Sequence, residues 1–121
     1  MTDPSRLTDG SLTPGIYRLL GTPEVIGAAL AAVGWHAVVV PPSSGVSEFY
    51  AALSLALPLP AYFGRNLDAL WDSLNDLDRP TALILADWTR LARARPESWA
   101  RIMDVLADRC AIAPAFAVVL A

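Results

Sequence analysis

The stretch "TALILADWTRLARARPESWARIMDVLADRCAIAPAFAVVL", Thr81 to Leu120, decides the architecture. "TALILAD", Thr81 to Asp87, is a short apolar run with the character of a buried strand, and "AFAVVL", Ala115 to Leu120, is another. Between them, Trp88 to Ala94 can make a short helix, and Pro96 opens a longer one that runs to about Asp108. Strands separated by helical segments pair in parallel, because the chain must cross back over the sheet before the second strand can start. The expected fold class is therefore α/β, a small parallel sheet flanked by helices.

The same alternation extends upstream. "GIYRLL", Gly15 to Leu20, reads as a short strand, and "TPEVIGAALAAVG" as a helix with Thr22 as N-cap, Pro23 at its first position and Gly34 at its end. "WHAVVV", Trp35 to Val40, is a nearly continuous apolar run before Pro41 and Pro42, the pattern of a strand buried on both faces. Ser43 to Ser47 supply a turn and a cap for "SEFYAALSLAL", a helix stopped by Pro58 and Pro60. One domain is expected over residues 1–121, with a loose polar tail at 1–12.

Composition narrows the function. The 121 residues are 55% hydrophobic and carry a net charge of −3, with nine basic residues, all arginine. Nucleic acid is a poor direct partner for such a chain, since phosphate binding needs a basic patch. The longest apolar stretch, Val25 to Val40, contains Gly27, Gly34 and His36 and is too short to suggest a membrane span. The acidic, turn-forming start "MTDPSRLTDG" lacks the pattern of a secretory signal, so a cytoplasmic location is expected. Cys110 is the only cysteine, which excludes an internal disulfide and a cysteine-rich zinc site, and reads as a small core residue.

The acidic segment lies at "PAYFGRNLDALWDSLNDLDRP", Pro60 to Pro80. Between Asn66 and Asp78 it has four aspartates and no basic residue. At about 100° per residue, Leu67, Leu70, Leu74 and Leu77 share one face of a helix over about Leu67 to Leu77. Asp68, Asp72 and Asp76 form an i, i+4, i+8 ridge on another face, with Trp71 and Asn75 between the two sets. Asn66 is placed to cap the helix, and Asp68 gains from the helix dipole. Asp72 and Asp76 gain nothing there. A solvated polar face is one explanation; the other is a surface kept negative to meet a positive one, bordered by Trp71 and by Tyr62 and Phe63 on the preceding loop.

"YFGRNLDALWDSL", Tyr62 to Leu74, closely resembles the signature of the barstar family, intracellular inhibitors of secreted guanyl-specific ribonucleases such as barnase. The likeness continues in element order from about Trp35 to Ala121. It implies a barstar-like three-layer α/β fold with a parallel sheet, a barstar-like core at 35–121, and an N-terminal strand-helix extension at 13–34 whose extra strand and helix, Gly15 to Gly34, are expected to add one parallel strand at a sheet edge. It also implies a function without catalysis, in which an aromatic loop and the helix after it plug the nuclease active site and carboxylates stand in for RNA phosphates. By position, Tyr62, Asn66, Asp68, Trp71 and Asp72 match contact or contact-supporting residues, with Asp72 as the phosphate mimic. Val105 and Asp108 are the best matches to a second contact region near the end of the last long helix. Arg65, Leu77 and Ile112 depart from the family's type member at the rim, and Ser73 and Pro114 replace its cysteines.

The resemblance implies a 1:1 complex with such a ribonuclease, no cofactor, no membrane association and a monomer when free. Two other readings remain at this point. A barstar-like module could serve a different basic protein, which the altered rim favours. An enzyme could use Asp68 and Asp72 to hold a metal or act as an acid and base pair. His36 is the only histidine and sits in an apolar strand run, where a core role is expected, and neither a glycine-rich phosphate loop nor a nucleophile motif accompanies the aspartates.

Overall fold

The computed structural model describes residues 13–57 and 66–121. Strands β1 (Gly15–Arg18), β2 (His36–Val40), β3 (Thr81–Leu85) and β4 (Phe116–Leu120) form one sheet in the order β1-β4-β3-β2. Every neighbouring pair is parallel. The helices are α1 (Pro23–Ala32), α2 (Val46–Ala56), α3 (Leu67–Asn75), α4 (Thr89–Ala94) and α5 (Pro96–Arg109). The fold is α/β and barstar-like, and the N-terminal strand joins the sheet at an edge, beside β4.

The period-2 alternation of the strands divides the core in two. Leu83, Leu85, Phe116, Val118 and Leu120 point to the side covered by α2, α3 and α5, where they meet Phe49, Tyr50, Leu53, Leu70, Leu74, Ile102 and Leu106. Ala82, Ile84, Ala117 and Val119 point to the other side, where Leu30 of α1, Tyr17 and Trp35 cover them. The connection β1–α1–β2 crosses the sheet in one direction, and the later connections come back in the other. With one hand of crossover, opposite directions of travel put helices on opposite faces, which yields three layers.

Alpha-helix α1 packs closely on its face. A Cβ at Gly27 would lie 3.3 Å from Ile84 Cδ1, so glycine permits the close approach. The helix ends through Val33 into Gly34, whose φ of 107° is unfavourable for a side-chain-bearing residue. Thr22 is at the N-cap as expected, but its side chain makes no capping bond. Gly45, within the expected 43–47 turn, is the N-cap of α2.

Three expectations need correction. Strand β2 is not buried on both faces: it lies at the sheet edge, and of its five residues only Val40 is buried. An apolar run marks a strand but does not say how many neighbours it has. His36 is accordingly half-buried rather than in the core, with Nε2 3.4 Å from Arg79 Nη2. The acidic helix ends at Asn75, with Asp76 as its C-cap, rather than at about Leu77. The 1–12 tail lies outside the described residues.

Beyond the C-terminal ends of the strands, a crevice is a usual ligand position in open α/β sheets. Here it is filled. Trp88 stacks on Trp99 at 5.8 Å between ring centroids, and the Arg18 guanidinium covers Trp88 at 5.3 Å. The space left among Val40, Ser43, Phe49, Leu85, Trp88 and Trp99 is about 10 Å³.

Candidate protein-binding face

Alpha-helix α3 owes its position to its leucines. Leu70 and Leu74 are fully buried, while Leu67 and Leu77 are half-buried against the same core. Its start is capped as the sequence indicates: the Asn66 side chain accepts a hydrogen bond from Ala69 N–H at 2.8 Å, satisfying a donor that the first turn leaves over. Asp68 lies in that first turn, where the helix dipole favours a negative charge.

The outer face is acidic. Asp68, Asp72 and Asp76 are exposed, Trp71 is half-buried, and the last turn of α3 carries no basic residue. Among the described residues the one ion pair joins Arg90 of α4 to Asp87 on the β3–α4 connection at 3.1 Å. No described cation therefore engages the α3 aspartates.

Alpha-helix α5 packs directly beside α3. Val105 is half-buried against the main core, and Asp108 is exposed in the last turn. Both candidate regions thus occupy neighbouring helices on one side of the sheet. Tyr62 and the rest of the loop at 58–65, including Arg65, lie outside the described residues.

Sequence reasoning missed the residue that joins the two helices. Arg109 is 1% exposed, and its Nε donates to the Leu74 carbonyl of α3 at 2.8 Å. Its Nη1 donates to the carbonyls of Ile112 at 2.8 Å and Pro114 at 3.0 Å, and its Cζ lies 5.4 Å from the Phe116 ring centroid. Burial lowers the pKa of the guanidinium, with the nearby Cys110 thiol acting in the other direction. An arginine near a helix C-terminus reads locally as a complement to the dipole, so only the tertiary fold discloses its reach to α3.

Among the described residues, no three His, Cys, Asp or Glu side chains are grouped so that they could hold a metal ion. Asp76, Asp78, His36 and Arg79 line a shallow groove of about 190 Å³ with Leu57, Leu77 and Thr81. No described helix is long and apolar enough to cross a membrane.

A family model described as Barstar (barnase inhibitor) matches residues 43–120, from the turn after β2 to the last residue of β4. No curated protein matches the chain. The match spans more than half of the sequence and includes both α3 and α5, and the chain belongs to the barstar family.

Proposed function

We propose that the protein inhibits a secreted guanyl-specific ribonuclease of the barnase kind by covering its active site in a 1:1 complex, with the carboxylates of α3 in place of RNA phosphates. The observation that carries this reading is the exposed ridge of Asp68 and Asp72 on a capped, core-anchored helix in a barstar-family chain. A ribonuclease cleft is built to hold a polyanion. Carboxylates already fixed on a helix meet it with little ordering cost, and opposite fields speed the encounter. Asp72 is the central contact, Asp68 reinforces it from one turn earlier, and Trp71 supplies an aromatic anchor at the border of the acidic ridge. Asn66 holds the first turn, Tyr62 contributes from the loop, and Val105 with Asp108 forms the second contact region. The chemistry asked of the protein is recognition alone, by a cytoplasmic chain that is a monomer when free.

Inhibition of barnase by the wild-type chain and by Asp72→Ala tests the assignment. Truncating one member of a desolvated charge pair is expected to weaken binding by about 2–5 kcal/mol, a range that barnase–barstar complexes themselves helped to define. Folding stability is expected to change by no more than about 0.5 kcal/mol, because Asp72 is exposed in the free chain. A variant that inhibits as well as its parent would remove Asp72 from the central position.

A further inference from the structure

We propose that Arg109 is a positioning residue for the nuclease-facing surface: its buried guanidinium fixes the C-terminal end of α3 to the α5–β4 connection, so that Asp72 and Asp108 form one preformed acidic face. This rests on reading α3 and the end of α5 as the docking surface.

A guanidinium is an expensive way to fill a core, and apolar residues often replace buried ions without loss of stability. What arginine adds is a planar set of donors that can bind several acceptors at once. Here they join carbonyls from two segments, Leu74 on α3 and Ile112 with Pro114 on the connection to β4. Among the described residues no carboxylate pairs with Arg109, so the cation serves the backbone.

The Leu74 carbonyl shows what the clamp holds. It also accepts the Leu77 N–H at 3.3 Å, a longer bond than the 2.8 Å from Arg109 Nε. Asp76 N–H, one residue earlier, bonds Ser73 O at 3.2 Å. The arginine therefore makes the shortest of these bonds at the end of the acidic helix. It also brings positive charge to a helix terminus that has no basic residue of its own. Because that charge lies beneath the helix, the outward carboxylates stay available to a partner.

The test compares amide exchange by NMR in the full-length wild type, Arg109→Met and Arg109→Lys, together with inhibition of barnase. In Arg109→Met, exchange at Asp76 and Leu77 is expected to accelerate roughly ten- to hundredfold relative to β3 and β4, the loss that follows removal of a hydrogen bond to a charged group. Arg109→Lys keeps the charge and a donor for the Leu74 carbonyl, and is expected to be intermediate. Should the methionine variant fail to fold, the lysine variant carries the comparison against the wild type. Acceleration spread equally over α3, β3 and β4, or unchanged exchange at Asp76 and Leu77, would overturn the clamp. A wild-type chain that leaves barnase active would count against the docking reading, while the exchange pattern would still decide whether Arg109 fixes α3.

Discussion

Cys110 follows Arg109 at the C-cap of α5 and packs against the main core. Burial pushes its thiol above the ordinary pKa of 9.0, although a backbone hydrogen bond from Gly15 and the charge of Arg109 act in the opposite direction. Burial likewise raises Tyr50 from 10.0. In both cases the folded chain keeps a proton that the unfolded chain releases sooner. The resulting stability is fully present below the unfolded pKa and is lost as pH rises through the folded one. Urea unfolding followed from neutral pH upward is therefore expected to show stability declining once the pH passes about 9, first through Cys110 and then through Tyr50. Cys110→Ala should move the onset toward the tyrosine range. An onset unchanged in that variant would assign the decline to other groups.

At the scale of the element, α3 is a compromise between its own stability and its charge. Asn66 and Asp68 favour the helix start, whereas Asp76 is the C-cap, where a negative charge opposes the dipole. Asp76→Asn is expected to stabilise the fold by about 0.3–1 kcal/mol at low salt, with the gain shrinking as salt is added. The same variant should associate more slowly with a basic ribonuclease, since part of the attracting field is gone. Stopped-flow association and urea unfolding at two salt concentrations would check the pair of effects; a faster association would argue against a steering role for Asp76. The helix was legible in advance because its leucine spacing and asparagine cap are local properties of the chain. Its end was less so. Leu77 continues the apolar stripe and extends the apparent helix, yet the regular helix stops at Asn75.

At the scale of the molecule, the sheet separates two helical layers. The candidate docking helices α3 and α5 stand on one face, and α1 closes the other. The parallel sheet was legible from alternating apolar runs and helical segments, and the edge placement of β1 followed from the resemblance to barstars, whose shortest members have no counterpart to Gly15 to Gly34. The edge position of β2 was hidden, since "WHAVVV" is as apolar as the central strands. The role of Arg109 was hidden because its acceptors are backbone carbonyls, which carry no residue signature. The separation of faces yields a prediction of its own. Leu30 is fully buried between α1 and the sheet, so Leu30→Ala is expected to cost about 2–5 kcal/mol of stability through lost burial and an incompletely collapsed cavity. Its side chain belongs to the cluster opposite α3 and α5, and the path from one face to the other runs through the fully buried strands β3 and β4. The hydrogen-bonded central strands are expected to hold their positions when α1 settles into the space left by Leu30. At temperatures where the variant remains folded, its inhibition of barnase should therefore match the wild type, while its urea midpoint falls. A loss of inhibition in the folded variant would show that the two faces are mechanically coupled and that α1 helps to shape the docking surface.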